Sequence, residues 1–370
     1  MVAKRARGED STDLFLELTP ERVLDAVEAA GVKVRPLCYP LNSFENRVYE
    51  VELDDRSRVV AKFYRPGRWS AAQILEEHRF LSELDEAEVP VCPARPFPDG
   101  STLATIDGIH YTLFDRKGGR APDELSPVLA ERLGMLVGRL HVVGARRANA
   151  ERLLLASADY LRPELDWLER QRKLPARLAG RFLEAARSIA DVHDRLSAGV
   201  ATLRLHGDLH LGNLLERDGE LRLLDFDDMM VGPAVQDLWL ALPGRDTTTL
   251  ALRELFVEGY ERFRPFDPAE LQLVESLRGL RMARYAAWLA RRWHDPIFPA
   301  NWPHFGTEEA WERETIDLEE QARLVRRGEV QGLGAAPSGT SGAAAAPAAP
   351  AGGDDSELSN KDFFWDWEQS

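Results

Sequence analysis

Two polar segments set between apolar ones constrain the fold of this 370-residue chain more than any other feature. The first, Leu205–Leu215, reads LHGDLHLGNLL, and the second, Leu223–Asp228, reads LLDFDD. The apolar residues around them predict a short buried strand followed by a hairpin that turns at Arg217–Gly219. The Asp and Asn side chains of these segments then lie at the ends of short, rigid strands. This placement suits a reaction that needs fixed charges.

Asp208, Asn213 and Asp225 point to phosphoryl transfer, a reaction that depends mainly on positioning and charge. Asp208 is the candidate base for the attacking hydroxyl. Asn213 follows it by five positions, the offset found in the catalytic loop of protein kinases. Asp225 stands where a catalytic, metal-binding Asp is expected, although Asp227 replaces the glycine that usually follows Phe226. Because Mg²⁺ prefers oxygen ligands, Asn213 and Asp225 are its predicted ligands.

A solvated turn is the alternative interpretation of an Asp-rich hairpin. The kinase-like spacing and the flanking apolar strands favour the site. His206, just before the catalytic pair, is expected to brace the loop by hydrogen bonds. For His210, a structural and a catalytic role are both open.

The residues before this stretch predict a helix and a β-meander. Thr19 and Pro20 open the helix as N-cap and first helical residue. Strands are predicted at 32–41, 48–53 and 58–64. The turn at residues 41–47 has no glycine-rich fingerprint, but Ser43 and nearby backbone N–H groups can bind phosphate oxygens of a nucleotide. An ordinary hairpin is the alternative for that turn.

Lys62 lies inside the apolar third strand, where an unpaired charge is costly. Its Val-Ala-Lys setting resembles the strand lysine that pairs with nucleotide phosphates in kinases. In the helix predicted from about Ser70 to Leu84, Glu77 falls in the apolar stripe and Glu76 points elsewhere. We therefore predict a buried Lys62–Glu77 ion pair, the alternative being an amphipathic helix whose edge carries Glu77.

Composition restricts the class of protein. The formal net charge is −15, which disfavours non-specific nucleic-acid binding. Cys38 and Cys92 are the only cysteines and suggest buried thiols in a reducing compartment. No apolar run is long enough for a membrane span, and the first residues lack an apolar signal core. A cytoplasmic, monomeric enzyme without membrane or nucleic-acid partners is expected.

The C-terminal end has a composition of its own. Residues 331–353 are rich in Gly, Ala, Pro and Ser, and are interpreted as a flexible linker. Residues 354–370 combine acidic and aromatic residues, including Phe363, Trp365 and Trp367. This tail is interpreted either as a peptide that docks on the chain itself or on a partner, or as an unstructured end.

Several of these segments, in the same order, resemble the bacterial stress response kinase A family. The likeness spans roughly Thr19 to Leu324. The stretches that carry it are Pro40–Tyr49 (PLNSFENRVY), Lys62–Pro66 (KFYRP), Ile74–His78 (ILEEH), Leu205–Asp208 (LHGD), Gly232–Trp239 (GPAVQDLW) and Trp288–Trp293 (WLARRW). The wider fold is that of aminoglycoside and choline phosphotransferases, related to eukaryotic protein kinases.

This resemblance implies an ATP-dependent Ser/Thr protein kinase that also phosphorylates itself and protects bacteria under envelope and oxidative stress. By motif match, Asp208 is the proton acceptor, Asn213 and Asp225 hold Mg²⁺, and Ser43 lies at the ATP site. The linker and the tail are not part of the family pattern.

The sequence thus predicts an α+β, bilobal, protein-kinase-like fold with an antiparallel N-terminal sheet. The expected division is an N-terminal arm (1–18), an ATP-binding lobe (19–115) with Ser43, Lys62 and Glu77, a helical catalytic lobe (116–330), the linker and the tail. Two alternatives stay open. One is a small-molecule kinase on the same fold, acting on an aminoglycoside, choline or homoserine-type alcohol. The other is a pseudokinase that acts as a binding module.

Overall fold

The computed structural model describes residues 14–15, 17–41, 43–148 and 151–331. Asn42, most of the predicted N-terminal arm, nearly all of the linker and the whole acidic-aromatic tail lie outside these ranges. The chain forms two compact units. The first contains the described residues up to Arg152 together with Leu203–Val231 and Arg245–Pro265. The second contains Leu153–Thr202, Gly232–Gly244 and the described residues from Phe266 onward.

An antiparallel sheet of five strands forms the first part of the first unit. Its strands are β1 (Val34–Pro40), β2 (Arg47–Leu53), β3 (Arg58–Phe63), β4 (Ala104–Ile106) and β5 (Ile109–Asp115), in the spatial order β1-β2-β3-β5-β4. Because β3 is central, Lys62 lies between Val48 of β2 and Thr112 of β5. The predicted meander is confirmed.

Two helices flank these strands in the sequence. Helix α1 (Pro20–Ala29) begins at the predicted Thr19 cap, and α2 (Ala71–Glu86) begins at a capping box made by Ser70 and Gln73. The core beside the sheet includes Val23 and Val27 of α1. Phe15 and Leu18, which the sequence analysis assigns to the N-terminal arm, are buried in the same core.

The remaining strands and helices that belong mainly to the first unit include the segment with the predicted catalytic residues. They are α3 (Pro127–Gly144), β6 (Leu203–Leu205), β7 (Leu214–Arg217), β8 (Glu220–Leu223), β9 (Met230–Gly232) and α8 (Thr247–Glu261). Glycines let α3 and α8 pack very closely. A Cβ at Gly134 would lie 1.9 Å from the carbonyl oxygen of Phe256, and one at Gly259 would lie 2.1 Å from that of Glu131. Strand β6 pairs with β9, and β7 with β8, so the predicted hairpin is confirmed.

The second unit is helical. Its helices are α4 (Ser157–Tyr160), α5 (Arg162–Arg170), α6 (Ala176–Leu196), α7 (Val235–Ala241), α9 (Val274–Arg292), α10 (Ile297–Asn301) and α11 (Glu308–Gln331). Aromatic residues pack its core, with the rings of Trp288 and Trp302 5.7 Å apart and those of Phe305 and Trp311 5.1 Å apart. Together, the five-stranded sheet and the mainly helical remainder confirm the predicted α+β fold.

Candidate active site

The loop after β6 presents Asp208 through a sharp turn. Gly207 has φ +84°, and a Cβ there would lie 2.3 Å from the carbonyl oxygen of Asp228, so only glycine fits. The ring of His206 is fully buried and acts as the predicted brace. Its Nε2 donates to the carbonyl of Leu224 at 2.7 Å, and its Nδ1 accepts from the backbone N–H of Asp208 at 3.3 Å. Asp208, the predicted base, is thereby held in place just after strand β6.

The β7–β8 hairpin brings Asn213 and Asp225 to neighbouring positions. Leu214 pairs with Leu223, and the N–H of Leu224 donates to the carbonyl of Asn213 at 2.9 Å. The side-chain Nδ2 of Asn213 donates to the backbone carbonyl of Asp208, also at 2.9 Å. Three of the predicted site residues are therefore connected within one short segment.

Lys62 lies within reach of three carboxylates. Its Nζ is 2.9 Å from Asp225 Oδ1, 3.2 Å from Asp227 Oδ1 and 3.5 Å from Glu77 Oε1, and it lies 4.9 Å from the centre of the Tyr64 ring. Burial alone would lower the pKa of the Lys62 ammonium, but the three negative charges outweigh it and raise that pKa. The predicted Lys62–Glu77 ion pair is present, and Asp225 and Asp227 lie closer still.

Glu77 is shared between two cations. Its second carboxylate oxygen accepts from Arg152 at 3.0 Å, and the same guanidinium donates to the carbonyl of Asp227 at 3.0 Å. Arg152 is fully buried and stacks over the ring of Trp69, 4.5 Å from its centre. Burial is the main reason that the pKa of the Glu77 carboxyl is raised, against the effect of its two cations. Lys62 and Arg152 thus offset only part of the effect of burial, and the surroundings of Glu77 favour its neutral form more than water does.

Asp227 and Asp228 are held by Arg68. The two Nη atoms of this arginine lie 2.6 Å from Asp227 Oδ2 and 2.5 Å from Asp228 Oδ1. Burial would raise the pKa of the Asp227 carboxyl, but the charges of Lys62, Arg68 and Arg152 hold it below its usual range. The pKa of Asp228 is raised, first by burial. Asp227, Arg68 and Arg152 are the site residues that the sequence analysis missed.

Ser43 lies near the site but, within the described part of the chain, does not contact the other predicted site residues directly. It lies half-buried just before the segment Phe44–Asn46. Among the hydrogen bonds and ion pairs of the described residues, none joins the Ser43 side chain to another predicted site residue. Nearby Asn46 is one of the groups that hold the pKa of the Asp227 carboxyl down, after the charges of Lys62, Arg68 and Arg152. The structure therefore brings Lys62, Glu77 and Asp225 together directly, and Ser43 only indirectly.

Glu76 is expected to point away from the buried face of α2, and its side chain does not contact Lys62. It is nevertheless buried, with 2% of its surface exposed. It lies 3.0 Å from Arg147 and 3.8 Å from Arg204. Arg204, at the centre of β6, is fully buried and also contacts Glu83 at 2.6 Å. Ion pairs thus join helix α2 to strand β6, which leads into the loop with Asp208.

The surroundings of His78 in α2 are expected to make the free energy of unfolding depend on pH. It lies between the Tyr64 hydroxyl (3.0 Å) and the Thr102 hydroxyl (2.8 Å). Burial, with help from the charges of Lys62 and Arg152, lowers the pKa of its imidazole to about 3. Below pH ~6.5 the unfolded chain therefore binds a proton that the folded chain does not. We expect the free energy of unfolding to fall by roughly 2 kcal/mol between pH 7 and pH 5 from this residue alone.

Urea unfolding at the two pH values measures this effect. The loss between pH 7 and pH 5 should be smaller in His78→Gln than in the wild type. His304→Gln, at an exposed histidine, is the matched control and should leave the loss unchanged. Equal losses in the wild type and in His78→Gln would contradict the prediction.

Comparisons with known proteins identify the family of this chain. Residues 38–274 match the model of a phosphotransferase enzyme family. Stress response kinase A of Salmonella paratyphi A is 41% identical over 323 residues, which cover 87% of this chain and 98% of that protein. The chain belongs to the stress response kinase A family. A protein of Salmonella typhimurium named serine/threonine protein kinase RdoA, a further relative, shows the same identity and the same coverage.

The fold of the family is also seen in a solved structure of lower identity. An amicoumacin kinase, in complex with AMP-PNP, Ca²⁺ and a compound named Ami, is 20% identical with a TM-score of 0.67. The match covers 84% of this chain and 96% of that one. At this identity the likeness concerns the fold alone, and it agrees with the predicted phosphotransferase architecture. Among the described residues, no helix combines the length and the apolar character that crossing a membrane requires.

Proposed function

We propose that the protein is an ATP- and Mg²⁺-dependent Ser/Thr protein kinase that also phosphorylates itself and acts in the bacterial stress response. The observation that carries the proposal is that hydrogen bonds bring Asp208, Asn213 and Asp225 together in one short segment, and that Asp225 contacts the buried Lys62. The naming of a relative with 41% identity as a serine/threonine protein kinase supports a protein hydroxyl as the acceptor. That the protein is a cytoplasmic monomer remains a proposal from composition.

The residues present fit Mg²⁺. Because Asn213 Nδ2 donates to the Asp208 carbonyl, the amide oxygen is the atom left for a metal. Asp225 supplies a half-exposed carboxylate, with 49% of its side chain accessible. Within the described ranges, no three His, Cys, Asp or Glu side chains form a metal cage. Mg²⁺ generally takes one or two carboxylates together with phosphate oxygens and waters, and when bound it would neutralise charge on the ATP phosphates.

The chain's own groups account for the rest of the reaction. The Asp208 carboxylate accepts a hydrogen bond from a Ser or Thr hydroxyl and orients its oxygen towards the γ-phosphorus. A bond forms between that oxygen and the γ-phosphorus, and the bond from this phosphorus to the β–γ bridging oxygen breaks, which yields ADP. The hydroxyl proton passes to Asp208 and then to solvent. Lys62 contributes a fixed positive charge for the phosphates, and Glu77 holds it there.

Labelled ATP tests the proposal. The purified protein is incubated with γ-labelled ATP and Mg²⁺, alone and with a generic Ser/Thr-rich protein, and the label is located by phosphoamino-acid analysis. We expect phosphoserine or phosphothreonine on both proteins, and no label when EDTA removes the metal. An Asp208→Asn sample excludes a contaminating kinase. Label on hydroxylated metabolites but on no protein would overturn the assignment of a protein acceptor.

A further inference from the structure

Arg65, just after β3, holds the predicted phosphate-binding turn from one side. Its surface is 2% exposed. Its Nε donates to the carbonyl of Glu45 at 2.9 Å and its Nη2 to the carbonyl of Phe44 at 3.2 Å. Its backbone N–H donates to the side chain of Asn46 at 3.1 Å. Three consecutive residues of the turn are therefore fixed by one arginine.

Because peptide bonds are planar and trans, these contacts also fix the direction of the backbone N–H groups in the turn. In a trans peptide the carbonyl of one residue and the N–H of the next point in opposite directions, and the described chain has no cis peptides. With the carbonyls of Phe44 and Glu45 directed at Arg65, the N–H groups of Glu45 and Asn46 point to the opposite side. Successive N–H groups aimed one way form an anion-binding concavity. The turn achieves this without any glycine between Leu41 and Arg47.

Arg68, three residues after Arg65, connects the same turn to the segment that contains the predicted metal ligand Asp225. Its guanidinium binds Asp227 at 2.6 Å and Asp228 at 2.5 Å, directly after the predicted metal ligand Asp225. Glu45 Oε1 lies 3.8 Å from Arg68 Nε and 3.3 Å from Arg65 Nε. One carboxylate of the phosphate turn is thus shared by both arginines.

We propose that Arg65 and Arg68 form a brace that positions the two phosphate-facing parts of the site, with one arginine setting each part. Arg65 sets the backbone of the turn Phe44–Asn46 and hence the affinity for ATP. Arg68 sets the segment Asp225–Asp228 and hence the rate of transfer. Neither arginine is assigned a contact with substrate, so both are positioning residues. The proposal rests on the proposed kinase function for its rate effect, but not for its effect on nucleotide binding.

Lysine substitutions test the brace because lysine keeps the charge but loses the planar fork that binds two acceptors at once. For Arg65→Lys we expect KM for ATP to rise about tenfold with kcat within about threefold, as for the loss of one charge-assisted hydrogen bond. For Arg68→Lys we expect kcat to fall about tenfold with KM nearly unchanged. Arg35→Lys, which alters an Arg–Glu pair between β1 and β2 whose arginine is 42% exposed, is the matched control and should change neither.

Binding separates failure of the brace from failure of the proposed function. A fluorescent ATP analogue with Mg²⁺ should bind Arg65→Lys about tenfold more weakly than the wild type even if no acceptor is found. Glu45→Gln removes the shared carboxylate without touching an arginine, and should raise KM and lower kcat together if the lysine variants fail to fold. Parallel changes of kcat and KM in both lysine variants, or unchanged nucleotide affinity in Arg65→Lys, would overturn the proposal.

Discussion

Asp208→Asn is expected to lower the rate constant for phosphoryl transfer by about a thousandfold, within the range measured for general bases. The amide cannot accept the hydroxyl proton, but it has the size of the carboxylate. Asp208 is not one of the acids that contact Lys62, and its backbone position is set by Gly207 and His206. The Kd for ATP should therefore stay within about threefold of the wild-type value, because ground-state binding is largely retained.

Single-turnover transfer of label, measured beside binding of a fluorescent ATP analogue, checks both parts. Asp218→Asn is the matched control, since Asp218 lies at the exposed tip of the β7–β8 hairpin, with 92% of its side chain accessible. It should leave both quantities unchanged. If Asp208→Asn retained transfer, another group would have to be the base. If it lost ATP binding as well, Asp208 would be part of the nucleotide site.

The local features of the site could be predicted from the sequence because they depend on short-range rules. The hairpin turn at Asp218–Gly219 follows from turn chemistry, and its strands place Asn213 beside Asp225. Glu77 falls on the buried face because of helical spacing, and Lys62 needs a partner because a charge in a buried strand is costly. Each of these predictions depends on residues that are close together in the sequence, or on one strong physical constraint such as the cost of a buried charge.

The missed residues pair over long distances in the chain. Arg152 contacts Glu77, and Arg68 contacts Asp227. The partners in each pair lie so far apart in the sequence that helix or strand periodicity cannot predict the contact. The replacement of the usual glycine by Asp227 was visible as a departure from the kinase pattern. The structure shows that this carboxylate lies between Lys62 and Arg68 and links them. A charged residue where a kinase has glycine was therefore the one available signal.

Lys62→Met is expected to lower both activity and stability at pH 7. The Lys62 side chain is 7% exposed, and its removal leaves the buried carboxylates of Glu77 and Asp227 with one fewer cation. Breaking a buried ion pair from one side costs about 3–5 kcal/mol, and the lower end applies because Arg152 and Arg68 remain. Transfer should fall by at least about a hundredfold, since a fixed positive charge for the phosphates is lost.

The stability loss should depend on pH in a defined direction. Burial already raises the pKa of the Glu77 carboxyl, and Lys62 is the first of the charges that oppose this. Without Lys62 that pKa rises further, so the folded variant binds a proton more tightly than the unfolded chain. Stability is then lost as the pH rises from about 4.3, the ordinary Glu value, through the raised folded pKa. Removing Lys62 also relieves the lowered pKa of His78, which acts in the same direction.

The difference in unfolding free energy between wild type and Lys62→Met should therefore be larger at pH 7.5 than at pH 5, as measured by urea unfolding. The double variant Lys62→Met, Glu77→Gln removes one of the two carboxylates left short of a cation, and should recover part of the stability at pH 7.5 without recovering transfer. Lys117→Met, at a more exposed Lys–Asp pair, controls for loss of a lysine. An equal loss at both pH values would mean that Lys62 stabilises the site by packing and not by charge. Recovery of stability without transfer would separate the two roles of Lys62, as a counter-charge for Glu77 in folding and as a cation for ATP in catalysis.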